Sequence, residues 1–239
     1  MSRTTAQVTE KKNQEYFSKN LETYRANVAE LDTYQRQRAV ITALIEGSVS
    51  LVDIGNGGVF EYDTAVARRI VAIDLFMDGI PRDASWPPNV VPVQASVLDL
   101  SGQPQNEHDT VLMVMLLHHL TGKTVAESRS NVATALRESA GLLKPGGRMI
   151  IIESTVPRWF YRFESAVYRP AAWLIDRLIS HPATLQYTVK DLERMLPEQL
   201  TLEHVEVIPK GRWILQFGVP FPGWLTPAQP VAMVLRKKP

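Results

Sequence analysis

Leu51-Val52-Asp53-Ile54-Gly55-Asn56-Gly57-Gly58 is the stretch on which the fold turns. An apolar run ends abruptly at an acid and a cluster of glycines, the pattern of a buried strand that delivers the chain into a tight loop. Residues without a Cβ take positive φ and let a ligand lie against the backbone. The segment from about Tyr62 to Arg69 predicts a helix whose free N–H groups point at that ligand. The next apolar run, Ile70-Val71-Ala72-Ile73, also ends in a carboxylate, Asp74, at roughly the acid spacing of a nucleoside-binding βαβ unit. Two carboxylates then flank one glycine loop, and a binding site is expected there.

Outward from this loop, strands alternate with helices. Val90 to Gln94 reads as a third strand, pierced by Pro92 and hence at or near an edge. Asp109 to Met115 is apolar on both faces, as a central parallel strand is, and it ends at Leu116-Leu117-His118-His119. A capping box, Thr124-Val125-Ala126-Glu127, opens a helix with Val132, Leu136, Ala140 and Leu143 on one face. Lys144-Pro145-Gly146-Gly147 closes it, and Arg148 to Glu153 follows as strand five. This alternation predicts an α/β, Rossmann-like doubly wound parallel sheet whose ligand loops lie at the carboxyl ends of the strands. The glycine and acid clusters all fall at those ends.

The flanking segments read differently. Residues 10–46 are polar and helix-permissive, with Tyr16, Phe17, Leu21, Tyr24, Val28 and Leu31 at helical spacing, which predicts N-terminal helices. They form either an edge cap or a lid with Tyr16 or Tyr24 lining a pocket. Met77 to Asn89 carries Gly79, Pro81, Pro87 and Pro88 and is expected to be a loop. Between 155 and 187 the aromatics Trp159, Phe160, Tyr161, Phe163, Tyr168 and Trp173 crowd a helical stretch interrupted at Pro170 and Pro182, an insertion that either completes the core or roofs a substrate. From 188 to 239 a short capped helix precedes two closing strands, Thr201 to Ile208 and Val231 to Arg236. The expected organisation is a single domain over 1–239: a helical cap (10–46), a ligand-binding core (47–154), a helical insertion (155–187) and a closing helix and strand pair.

Composition narrows the function. The 239 residues carry a formal net charge of +1, which leaves no electrostatic footprint for a nucleic acid. With no cysteine, disulfides and thiolate catalysis are excluded, and a cytoplasmic setting is favoured. No apolar run reaches the length of a bilayer span, so stable membrane insertion is not expected.

Taken together, these residues resemble the class I S-adenosylmethionine-dependent methyltransferases from about Val49 to Ser154. Four signals carry the resemblance: Asp53-Ile54-Gly55-Asn56-Gly57, similar to that family's acid-x-Gly-x-Gly loop; Asp74 after strand two; the apolar fourth strand ending in His118-His119-Leu120; and Leu142-Leu143-Lys144-Pro145-Gly146-Gly147 before strand five. The resemblance implies seven strands in the order 3-2-1-4-5-7-6 with strand seven antiparallel, and S-adenosyl-L-methionine as cofactor. It further implies that Gly55, Asn56 and Gly57 admit the methionine moiety and that Asp53 compensates its ammonium or the sulfonium. Asp74, with Leu75 following it, would receive the ribose hydroxyls; Ser96 and Val97 would meet the adenine, and Met115 would border the reactive methyl.

The sequence departs from that pattern at Val59, where a third glycine is usual, and at Ser96, where an acid is common. Strand four also lacks the Asn/Asp-Pro-Pro-aromatic signature of exocyclic base methylation, so the expected partner is a small-molecule methyl acceptor, apolar or aromatic. No metal is implied. If the acceptor loses a proton, His118 or His119 is the candidate base, against the plainer reading of a helix cap and a half-buried side chain; Glu153 and His181 are further candidates. Two rivals stand beside this reading. A protein that binds the cofactor without catalysis fits the same loop. A nicotinamide-dependent oxidoreductase needs glycine or alanine where Phe60 stands.

Overall fold

A computed structural model describes residues 31–76, 86–178, 183–216 and 219–239. Tyr16, Tyr24, most of the expected Met77–Asn89 loop, His181 and Pro182 lie outside these residues. Seven strands form one sheet in the order β3-β2-β1-β4-β5-β9-β6. Their ranges are β1 Leu51–Ile54, β2 Ile70–Asp74, β3 Val90–Gln94, β4 His108–Val114, β5 Leu143–Thr155, β6 Leu200–Val207 and β9 Gln229–Lys237. β1 to β5 run parallel, and β9 lies antiparallel between β5 and β6. The expected order is therefore realised, with β9 in the seventh place and Pro92 on the edge strand β3.

The central strands β1, β2 and β4 are buried on both faces, which is why they read as continuous apolar runs. Side chains of a strand alternate between faces. Val52, Ile54, Val71, Ile73, Val111 and Met113 pack beneath helix α2 (Val125–Leu142), while Leu51, Ile70, Ala72, Leu112 and Ile150 pack beneath α1 (Asp32–Ile45) through Ile41 and Ile45. The Thr124 half of the capping box forms, Oγ1 accepting from the Glu127 N–H at 3.1 Å, while Glu127 Oε2 accepts from the N–H of Lys123, one residue before the cap, at 2.8 Å. At the other end of α2, the buried Lys237 ammonium donates to the Ala140 and Leu143 carbonyls at 2.9 and 2.6 Å, joining the last strand to the helix C-terminus.

Three expectations are corrected. The helix from Tyr62 to Arg69 is absent; a single 3₁₀ turn, Thr64–Val66, stands there, with the Asp63 side chain accepting from the Ala65 N–H. The reason is competition for backbone groups: Gly47 N–H donates to the Val66 carbonyl and Arg68 N–H to the Ser48 carbonyl, so the segment is laced to the turn before β1. Tyr62, 2 % exposed, is drawn into the core instead of onto a helix face. Next, Pro170 does not interrupt its helix, because α3 runs from Arg158 to Leu178 through it. Pro170 sits on an exposed face, where the carbonyl left unpaired one turn back reaches water. Finally, Leu143 to Gly147, expected to end the helix, already belongs to β5, which begins at Leu143 where it pairs with His108. The connection between β6 and β9 adds a second small sheet, the hairpin β7 (Trp213–Gln216) and β8 (Val219–Pro222). Thr33 on α1 anchors it, donating to the carbonyls of Lys210 and Trp213.

Replacing Thr124 by alanine removes the cap of α2 and is expected to cost about 1 kcal/mol in urea unfolding, with the m-value unchanged.

Candidate active site

β1 and β2 end side by side in acids. Asp53, 1 % exposed, receives the Tyr62 hydroxyl at 2.7 Å and the Asn56 amide at 2.8 Å, both on Oδ2. Its Oδ1 is buried with no partner. Burial pushes the Asp53 carboxyl up to about 6 against the pull of those two bonds, and the charge of Asp74 adds to the rise. Asp74 turns toward the glycine loop: Oδ2 accepts from the Gly57 N–H at 2.7 Å and Oδ1 from the Phe76 N–H at 2.8 Å. Burial raises its pKa as well, with the N–H groups of Gly57, Phe76 and Leu75 opposing. Among the described residues, neither acid has an ion-pair partner.

The loop between them is built for close approach. Gly55 has φ +80° and Gly57 φ +56°, conformations that cost an L side chain. A Cβ on Gly55 would meet Leu116 Cδ1 at 2.7 Å, whereas a Cβ on Gly57 would find no atom within 4 Å. Gly57 therefore borders open space beside Asp74, and Leu116 covers Gly55. The chain reaches Leu116 through Met115, whose φ of +50° is unusual for a residue with a side chain. The Met115 N–H donates to the Ile152 carbonyl at 2.8 Å, which fixes this strained corner at the end of β4.

The remaining predicted cofactor residues lie after β2 and β3. Leu75 presents its carbonyl to the Gln94 amide at 3.1 Å. Ser96 Oγ accepts from the Leu98 N–H at 3.1 Å, closing the turn that carries the buried Val97. Val97 packs in the core with Ile54 and Ile73.

His118 and Glu153, separate candidates in the sequence, form one unit. His118 Nδ1 and Glu153 Oε1 are 2.6 Å apart. Glu153, fully buried at the end of β5, also accepts from the N–H groups of Leu117, His118 and Ser154 at 2.9, 3.3 and 2.7 Å. An acceptor so placed holds the Nδ1 proton and leaves Nε2 as the basic nitrogen. The 3₁₀ turn Leu117–His119 puts both histidine rings together, with centroids 4.1 Å apart. A second acid reaches this corner from α3: Glu164 accepts from the Gln186 N–H at 3.0 Å, and burial pushes its pKa up to about 7 while His118 pulls it down.

Tyr62 and Glu164 were not legible as site residues. Tyr62 reads as an aromatic on a helix, and no spacing ties Glu164 to His118, 46 positions earlier in the chain.

Residues 52–151 match the family model described as a methyltransferase domain. No curated protein matches the chain. Among solved structures, the 1,6-didemethyltoxoflavin-N1-methyltransferase of Burkholderia thailandensis, crystallised with 1,6-didemethyltoxoflavin and S-adenosylhomocysteine, superposes with a TM-score of 0.65 at 16% identity, covering 100% of this chain and 93% of its own. The N-methyltransferase NodS of Bradyrhizobium japonicum gives 0.55 at 14% identity over 87% of this chain and 98% of its own. The [4+2]-cyclase SpnF gives 0.60 at 15%, with 100% and 97% covered. At such identities the structures speak for the fold. Together with the domain match, the sheet order gives the chain the fold of these methyltransferases, with the acid-flanked glycine loop inside the matched residues. Residues 52–151 of the chain are a methyltransferase domain.

The raised acids set a pH dependence of the unliganded protein. A carboxyl whose folded pKa lies above its unfolded value costs nothing below about pH 4, where it is neutral in both states, and destabilises increasingly as pH rises through the folded pKa. For Asp53 that window runs from the ordinary carboxylate range to about 6. Asp53→Asn is accordingly expected to gain stability relative to wild type between pH 4 and pH 7, read as the difference between their urea midpoints.

Proposed function

We propose that the protein transfers the methyl group of S-adenosylmethionine to a small, apolar or aromatic acceptor in the cytoplasm, with His118 as the general base. The observation that carries this reading is a pair of neighbouring buried carboxylates, Asp53 and Asp74, without a described cation, beside a loop that is open at Gly57. Uncompensated buried acids are costly unless a positive charge arrives. A ligand bearing an ammonium and a sulfonium supplies one, and the unpartnered Asp53 Oδ1 is the atom placed to meet it, directly or through water.

Asp74 takes the ribose. A carboxylate has acceptor capacity for two hydroxyls, and Asp74 exchanges its bond to the Gly57 N–H for them. Gly55, Asn56 and Gly57 line the methionine end, Leu75, Ser96 and Val97 the nucleoside end, and Met115 the methyl.

S-adenosylmethionine supplies a methyl already activated by its positively charged sulfur, so this chain contributes alignment, exclusion of water and a proton acceptor. His118 Nε2 accepts a proton from a hydroxyl, an acidic carbon or a ring nitrogen of the acceptor. Glu153 holds the imidazole and balances its charge once protonated. The His119 ring, tilted by 40° against it with centroids 4.1 Å apart, limits its rotation.

Isothermal titration tests the cofactor half of the proposal. S-adenosylhomocysteine is expected to bind and NAD to give no heat. If Asp53 must be ionised with a pKa of about 6, affinity falls about tenfold from pH 7 to pH 5. Gly57→Ala is expected to fold, losing about 1 kcal/mol to its left-handed φ, and to weaken binding by tenfold or more because the new Cβ enters the cleft. A methyl-release assay over apolar and aromatic acceptors tests the other half. His118→Ala should lower turnover roughly a hundredfold or more with S-adenosylhomocysteine binding retained. Normal turnover in both His118→Ala and His119→Ala would remove the base from the mechanism.

A further inference from the structure

Seven of the large apolar side chains that stand exposed, Trp159, Phe163, Val207, Trp213, Phe221, Trp224 and Leu225, belong to segments at one edge of the sheet. α3 leaves the carboxyl end of β5, and the β7–β8 connection leaves the carboxyl end of β6, which runs parallel to β5 because both are antiparallel to β9. Trp159 is 66 % exposed, Phe163 61 % and Trp224 81 %. Water is a poor place for three large rings, and such a concentration on one side marks an interaction surface.

The helix says what it meets. At about 100° per residue, the exposed positions of the first three turns of α3 fall on one arc in the order Arg158, Arg169, Arg162, Ala166, Trp159, Pro170, Phe163. Arginines occupy one side of that arc and aromatic rings the other. The one acid of this stretch, Glu164, is turned inward to the Gln186 N–H. Beside the arginine edge runs a groove of about 380 Å³ lined by Arg158, Arg162, Lys190 and Arg194, with Tyr161 and Asp191. The β7–β8 connection adds Lys210 and Arg212, and no acid occurs after Glu206. The formal charge of +1 for the whole chain thus conceals a basic, aromatic edge. Aromatic rings beside arginines on an amphipathic helix match the boundary between acyl chains and anionic headgroups.

We infer that the carboxyl edge of the sheet, led by α3, docks on an anionic lipid surface, with Trp159 and Phe163 in the acyl boundary and lipid phosphates against Arg158, Arg162 and the groove. No helix among the described residues is long and apolar enough to cross a membrane, so the contact is peripheral. It places the mouth of the methyl-transfer site toward the bilayer.

Co-sedimentation of the full chain with phosphatidylcholine vesicles, with and without phosphatidylglycerol, tests the inference. Binding is expected only with phosphatidylglycerol, and added salt should weaken it. Each of Arg158→Ala and Arg162→Ala should weaken it roughly fivefold, and the pair Trp159→Ala with Phe163→Ala by about tenfold or more. S-adenosylhomocysteine binding should be unchanged in all of these, while Gly57→Ala should bind vesicles normally, so a failed lipid surface and a failed cofactor site are separately visible. No binding to either vesicle, or equal binding to both, overturns the inference. So does a concentration-dependent dimer in sedimentation velocity that Trp159→Ala with Phe163→Ala abolishes, since a second copy would then be the occupant.

Discussion

Two carboxylates at the ends of neighbouring strands, buried and without a described cation, are the constraint around which this structure is arranged. Placing ionisable groups there costs several kcal/mol in the absence of a counter-charge. The chain offsets part of that with the Tyr62 hydroxyl, the Asn56 amide and the N–H groups of Gly57 and Phe76, and it leaves Asp53 Oδ1 without a partner. Tyr62 reaches Asp53 only because the expected helix gives way to a 3₁₀ turn laced to the start of β1.

Much of this was legible in the residues. Apolar runs ending in Asp53, Asp74 and His118-His119 placed the parallel strands and their ligand edge, because a strand buried on both faces leaves an unbroken apolar signature. Thr124 and Glu127 announced α2 by their side-chain chemistry. What stayed hidden depended on contacts distant in sequence. The run from Tyr62 to Arg69 has the composition of a helix, and only the competing bonds from Gly47 and Arg68 decide otherwise. Pro170 carries a local cost that an exposed helix face absorbs. Prolines in Val219–Pro222 conceal an edge hairpin, since their effect on pairing depends on which side of the strand faces a partner. Glu153 was visible as a strand-end acid, but its bond to His118 required the register of β4 against β5.

The fold alone does not set the chemistry. A similar arrangement of strands serves an N-methyltransferase and a [4+2]-cyclase among the solved structures. The local features of this chain at the carboxyl edge are the corner at Met115, the His118–Glu153 pair, and Glu164 brought in from α3. These groups stand at the same carboxyl edge of the sheet as the acid pair, so a donor gripped by Asp53 and Asp74 and an acceptor beside His118 would meet at the end of β4.

A crystal structure with S-adenosylhomocysteine addresses the acid pair most directly. The account predicts the nucleoside in the crevice beside Gly57, both ribose hydroxyls within hydrogen-bond distance of Asp74, its bond to the Gly57 N–H released, and the ligand's ammonium near Asp53 Oδ1. S-adenosylhomocysteine bound elsewhere, or in that crevice with Asp74 still held by Gly57 and Phe76 and touching no ribose oxygen, would contradict it.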